Sequence, residues 1–318
     1  MRVFSKLLVI LAVFVLSSCG EGKNSARSSE TPTSGNIKIS VDESFKSIMD
    51  SQVFTFQALY KKAKVSPTYT SETQAFKDIL NDSSRVIIVA RVPNKSELDF
   101  IKSKGTKLRV TKLVFDGVAL IVHPDNSDTL ISEEQLADVL SGKINNWSEL
   151  GFSKNKEGIS VVFDHEQGAN ARFLRDTLLQ GKAFAKKCFA LKSNEEVINY
   201  IAQHKNTIGV VSVNWVSDRD DPTVEQFLTK VKLMNVGPGD HYDYSKYVKP
   251  YQAYIATKQY PLCRCVYAIL REPRNGLGTG FVSFIAGEKG QRMFLKAGLV
   301  PVNMPIRLVE VTNDNLDL

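Results

Sequence analysis

The sequence predicts an α/β protein of two lobes that face each other across a cleft. Three features carry that expectation. Short β-rich runs alternate with helical patterns from about residue 37 onward, the alternation falls into two separate sets, and long strands at 113–123 and 264–270 join them. Ligands gather where two such lobes meet.

The first eighteen residues belong to targeting rather than to the fold. Arg2 and Lys6 form a short basic region, residues 7–16 are continuously apolar, and Leu16-Ser17-Ser18-Cys19 follows. That pattern predicts a signal peptide over 1–18, because the apolar run is too short to persist as a membrane span. The small residues before Cys19 match a lipobox, so Cys19 is expected to become the first mature residue and to carry acyl chains on its sulfur and amino group. No later stretch of the sequence is long and apolar enough to cross a bilayer. A chain held to the membrane by lipid is expected, not a spanning one. Residues 19–35 are small, polar and unpatterned, which predicts a flexible tether.

The first α/β set begins with a strand at 37–41 and a helix over about 43–60. A second strand covers 63–69, and a helix over 71–81 opens on a Ser71–Gln74 capping pair. Residues 86–92 are almost continuously apolar, as in a buried parallel strand. The order β-α-β-α-β predicts a doubly wound lobe. The longer strand at 113–123 carries an interruption at Asp116-Gly117. Ser132 and Gln135 form the next capping pair, and their helix ends near Ser141-Gly142. A strand at 159–163, a helix near 170–180, a strand at 188–191, a capped helix at 194–204 and a strand at 208–213 complete the second set. A loop rich in Asp, Gly, Pro and Tyr is expected over 216–250, then the strand at 264–270 and one last helix over 280–297.

Composition narrows the function classes. The formal charge of +7 falls to +5 once Arg2 and Lys6 are removed, and the surplus is spread along the chain. That does not suit nucleic acid; it mildly favours an anionic ligand or a membrane surface. After Cys19 the cysteines are Cys188, Cys263 and Cys265; the last two are poorly placed to bridge each other, and a bond from one of them to Cys188 stays open. The four histidines are isolated, and no metal-ligand spacing occurs. There is no G-x-S-x-G elbow, no phosphate-loop G-x-x-x-x-G-K-[ST] and no H-E-x-x-H. No catalytic residue, metal or cofactor is therefore assigned, and the chain is not expected to be an enzyme.

Helix N-termini after strands remain as chemistry. Ser44-Phe45, Thr70-Ser71 and Gly168-Ala169-Asn170 each stand at one, where free N–H groups and the positive dipole end can hold an anion. Most such residues simply cap their own helix. Three converging on one cleft beside Arg91, whose planar fork suits oxyanions, would carry more weight.

Several segments, in order, resemble the periplasmic phosphate-binding proteins of ABC transporters, which have a type II periplasmic-binding fold. They are AR-x-P-x-x-x-E at 90–97, DGVALIVHPDN at 116–126, LADVLSGKINNWSEL at 136–150, IGVVSVNW at 208–215 and GTGFVSFIAGEKGQRMFLKAGLVP at 278–301. The resemblance implies a hinged receptor for phosphate or a similar oxyanion, monomeric, delivering its ligand to an ABC transporter permease. It implies lobe one at 36–115 plus 271–318 and lobe two at 116–270. Ser44, Phe45, Ser71 and Arg91 would line the first lobe's side of the cleft, and Gly168, Ala169, Asn170 and Arg172 the second's. One departure matters. Gly168-Ala169-Asn170 stands where the family usually has Ser-Gly-Thr, so two hydroxyls are lost, while Asp164 and Glu166 nearby would repel an anion that carries no proton. Two alternatives follow: a surface or regulatory lipoprotein of the same fold that binds another ligand or a protein segment, and a hydrolase of phosphorylated substrates lacking a visible nucleophile.

Overall fold

The computed structural model describes residues 30–151, 154–218, 221–239 and 243–303. The expected signal peptide at 1–18, the expected lipidation site Cys19 and most of the expected tether lie outside them. Strand β1 (Ser34–Asp42) pairs in parallel with β2 (Lys62–Thr70) and β3 (Val86–Val89). Strand β2 ends the sheet order, which is why Pro67 is tolerated in it. Strand β11 (Cys263–Leu270) runs antiparallel between β3 and β4 (Arg109–Val122). Beyond β4 come β8 (Thr207–Ser212), β6 (Ser160–Phe163) and β7 (Cys188–Ala190), to give the order β2-β1-β3-β11-β4-β8-β6-β7. The short strands β5 (Leu130–Ser132), β9 (Lys232–Leu233) and β10 (Asn235–Gly237) and the short helix α8 (Gln252–Ala256) flank the second lobe.

Strand β4 makes one sheet serve two lobes. Residues from Arg109 to Gly117 face β11, and Val118 to Ile121 face β8. The interruption expected at Asp116-Gly117 is therefore no break; the strand is continuous for 14 residues and changes partner there. Gly117 is needed because a Cβ would lie 2.9 Å from Val213 Cγ2 and 3.0 Å from Ile255 Cδ1.

Each lobe has its own core. Ile39, Val41, Phe45, Met49, Phe56, Val114, Phe281 and Ile285 pack in the first, with helices α1 (Lys46–Leu59), α9 (Leu277–Ala286) and α10 (Glu288–Lys296). Strand β3 is buried on both faces: Val86 and Ile88 join this core, while Ile87 and Val89 join a cluster with Phe76 and Ile79 of helix α2 (Glu72–Leu80). The second core gathers Val118 to Val122, Trp147, Val161, Leu174, Ile198 and Val210. Burial of each large side chain contributes about 1.5–3 kcal/mol, so either lobe has an ample interior.

Several expected elements change in detail. The helix expected from 43 opens as a short 3-10 turn at Glu43–Phe45, with Asp42 accepting from Ser44 N, before α1 begins. Helix α3 (Lys95–Ser103), opened by a full Asn94–Glu97 capping box, was not anticipated, nor was α7 (Pro222–Lys230) in the stretch taken for a loop. The single helix expected over 280–297 is two, broken at Gly287. Gly290 brings them together, since a Cβ there would lie 2.4 Å from Ile285 Cα. The Ser132–Gln135 capping box opens α4 (Glu133–Ser141) as expected. Cys188, Cys263 and Cys265 are free thiols, so none of them bridges to another. Among the described residues no helix is long and apolar enough to cross a membrane.

Candidate interlobe binding site

One segment of the first lobe and three of the second end at one buried polar centre. From the first lobe come Asp42, Glu43 and Ser44, where β1 runs into its 3-10 turn. From the second come Asp164 just after β6, the N-terminus of α5 (Ala169–Leu178) and the N-terminus of α6 (Asn194–Ile201). Asp42, Ser44, Asp116, Asp164, Asn170, Asn194 and Ser212 are all fully buried.

The bonds between the lobes are direct. Ala169 N donates to Asp42 Oδ2 at 3.0 Å, and Asn194 N donates to Glu43 Oε2 at 3.0 Å. Asn194 Nδ2 also donates to that Glu43 oxygen, and to Asp164 Oδ2 at 3.1 Å. Ser44 Oγ donates to Asp164 Oδ2 at 3.0 Å, while Trp215 Nε1 donates to Ser44 O at 2.9 Å. Beneath this layer lies the hinge. Arg264 on β11 stands opposite Asp116 on β4, and its Nε donates to Asp116 Oδ2 at 2.9 Å. Ser212 Oγ donates to the same carboxylate at 2.9 Å, and its backbone N donates to Asn194 Oδ1 at 3.2 Å, tying the hinge to the helix ends.

Burial governs the charges. It raises the Glu43 carboxyl to about 8, aided by repulsion from Asp164 and opposed by the Asn194 bonds. Asp42 rises well above the carboxylate range, first by burial and then by repulsion from Asp164 and Glu72. Asp164 rises through burial as well, against the pull of Ser44, Arg264, Asn170 and Asn194. Burial and the crowding of like charges thus favour the protonated forms of these carboxyl groups. Glu43 Oε1, Asp164 Oδ1, Asn170 Oδ1 and Arg264 Nη1 are buried without a hydrogen-bond partner, so the centre has unmet polar capacity. No group of three or more His, Cys, Asp or Glu among the described residues is arranged for a metal ion.

The structure brings most of the sequence-derived candidates here. Ser44 and Ala169 bond across the cleft, and Asn170 Nδ2 reaches Asn194 Oδ1 at 3.4 Å. Phe45 lies under the Arg264 guanidinium, 5.3 Å from its ring centroid. Gly168 opens α5 with no side-chain cap. Arg172 reaches from the second lobe to Glu72, and to Ala90 O at 3.0 Å. Ser71 caps α2 by accepting from Gln74 N at 3.3 Å. Arg91 is held aside: it forms two 2.8 Å bonds to Glu97 and stacks on Phe76. The buried guanidinium at the centre is Arg264, which sequence reasoning passed over together with Asp42, Glu43, Asp116, Asn194 and Ser212. A charged residue inside an otherwise apolar run, Asp116 within 113–122 and Arg264 within 263–270, was the signal for this pair. A groove of about 660 Å³ between Asn126, Leu228, Lys232, Lys249 and Tyr251 includes none of these residues.

The model of the PBP superfamily domain matches residues 26–289. The chain belongs to that superfamily. Among its relatives, the phosphate-binding protein PstS of Bacillus subtilis is 23% identical over 303 residues, 93% of each chain. PstS of Borreliella burgdorferi is 22% identical over 219 residues, 67% of this chain and 72% of that one. Among solved structures, one from Clostridium perfringens, described as a phosphate ABC transporter substrate-binding protein with bound phosphate, has a TM-score of 0.70 at 22% identity and covers 84% of this chain and all of that one. An ABC-type phosphate transport receptor from Vibrio cholerae has a TM-score of 0.63 at 19% identity, with the same coverage. These likenesses establish the two-lobed periplasmic-binding fold.

Proposed function

We propose that this protein captures an oxyanion, inorganic phosphate first among them, between its lobes and delivers it to an ABC transporter. The observation that carries this is the convergence of two helix N-termini, at Ala169 and Asn194, with Ser44, Asn170 and Arg264 on one buried centre. Backbone N–H groups at helix starts are the usual protein donors to phosphate oxygens. The PstS names of the relatives support the same ligand. Lobes of 36–115 plus 271–318 and of 116–270, hinged at β4 and β11, suit closure around a solute. The lipobox supports anchoring through Cys19, which would hold a monomeric binding domain in the cell envelope, facing the periplasm or the exterior. The role is binding rather than catalysis. Calorimetric titration with phosphate, sulfate and molybdate tests it: saturable one-site phosphate binding is the expected result, and no heat with any of the three would refute it.

A second reading has a specific observation behind it. Ser-Gly-Thr is replaced at 168–170, and both helix starts already hold carboxyl groups of the opposite lobe. A surface or regulatory lipoprotein of this fold, binding another ligand or a protein segment, is the alternative that a negative titration would favour.

A further inference from the structure

We propose that Asp42 and Glu43 are built-in substitutes for the solute: each places a carboxyl group on a helix N-terminus of the opposite lobe, latching the lobes together, and solute enters by displacing them. The solute part of this rests on the oxyanion reading above; the latch part does not.

Helix chemistry is the starting point. The first N–H groups of a helix have no partner within it and need one from outside. In α5 the residue before the first turn is Gly168, which has no side chain to supply a cap. The partner comes from the other lobe, 127 residues away in sequence, as Asp42 Oδ2. Helix α6 does have a local cap, since Ser193 Oγ accepts from Glu196 N at 3.1 Å. Even so, its Asn194 N points across the cleft to Glu43 Oε2, and the Asn194 side chain follows it. One residue on each of two helices is thus engaged by consecutive residues of a single turn. Both carboxyl groups occupy the helix-start N–H donors that the oxyanion reading assigns to the solute.

The surroundings show that this centre is not a plain structural seam. Asp42 and Glu43 face Asp164 on the second lobe, Asp42 also faces Glu72 on α2, and Arg264 on β11 is the opposing charge close to Asp42 and Asp164. Gathering these acids away from water costs free energy, whether they repel as anions or are forced to take up protons, and Glu43 Oε1, Asp164 Oδ1 and Asn170 Oδ1 remain without partners. A seam optimised only for contact would leave neither. The arrangement suits a solute that relieves both by moving the two acids off the helix ends. It follows that these acids, more than the hydroxyls missing at 168–170, set how tightly the cleft accepts an anion.

The test uses the full chain, with Asp42→Ala and Glu43→Ala singly and together, in phosphate-free buffer and then with inorganic phosphate. Amide hydrogen exchange at Ala169 and Asn194 reads the latch directly. In the wild type without phosphate both amides should be protected, and the double variant should lose that protection while protection in the β4 and β3 interiors stays unchanged. Phosphate should restore protection in the double variant, with affinity roughly tenfold or more above that of the wild type, because an internal competitor has been removed. Equal protection in the wild type and the double variant without phosphate would overturn the latch. So would weaker phosphate binding in the double variant, since the acids would then be ordinary contacts of the solute. Loss of protection in a chain that ignores phosphate would support the latch and sink the oxyanion reading alone. Should the double variant not fold, Glu43→Ala read at Asn194 carries the same two outcomes.

Discussion

Breaking the Arg264–Asp116 pair should be among the most destabilising single changes available in this chain. Both residues are at most 5% exposed, they stand opposite each other on the two strands shared by the lobes, and Nε lies 2.9 Å from Oδ2. Arg264→Met removes the charge but keeps much of the stem. It leaves Asp116 as a buried carboxylate whose remaining side-chain donor is Ser212. Removing one partner of a buried pair costs about 3–5 kcal/mol. Arg264 also attracts Asp42 and Asp164, so its loss should push both carboxyl groups to take up protons at still higher pH. Asp116→Asn together with Arg264→Met takes away both charges and should recover much of the loss, with a coupling energy of about 1–3 kcal/mol. Urea unfolding at pH 7, followed by circular dichroism, gives all four corners of the cycle. A cost below about 1 kcal/mol for Arg264→Met, or a double variant that merely sums the singles, would refute the claim that this pair holds the hinge as a unit.

Three further outcomes follow from particular groups. The Glu43 carboxyl is raised to about 8 by burial, whereas its ordinary value is 4.5, so the folded chain holds a proton that the unfolded chain releases. Its contribution to stability is complete below about 4.5 and is lost as pH rises from there through about 8, so the thermal midpoint should fall across that range and Glu43→Gln should flatten the slope; an unchanged slope in the variant would assign it to other groups. Gly117→Ala puts a methyl 2.9 Å from Val213 Cγ2 at the point where β4 changes partner, and should cost about 1–3 kcal/mol in a urea titration, against near-neutrality if the packing yields freely. Cys19→Ala should abolish lipid attachment, which mass spectrometry of the membrane fraction would show as loss of the acylated N-terminal peptide; an unmodified wild-type N-terminus elsewhere would rule out the lipobox.

The sequence by itself determined the order of the main strands, the two α/β sets and part of the cleft, namely Ser44, Phe45, Gly168, Ala169 and Asn170. Strands such as Val86–Val89 announce burial on both faces through composition alone, and Ser71 and Ser132 mark helix starts through local side-chain bonds. The expected signal peptide and lipobox are linear patterns of the same local kind. What only the tertiary structure decided was which partner each charge takes. Arg91 looked free for a ligand, yet Glu97, six residues on in the α3 turn, holds it. Asp116 looked like a strand break because its partner Arg264 is 148 residues away and appears only once β4 and β11 are in register. Asp42 and Glu43 stand at the expected start of the first helix with no local sign of a distant partner, and their engagement with Ala169 and Asn194 needs both lobes in place. Periodicity and capping act over a few residues and are written in the chain locally. Pairing of buried charges depends on distances between segments far apart in sequence, and these exist only after the sheet has brought the two lobes together.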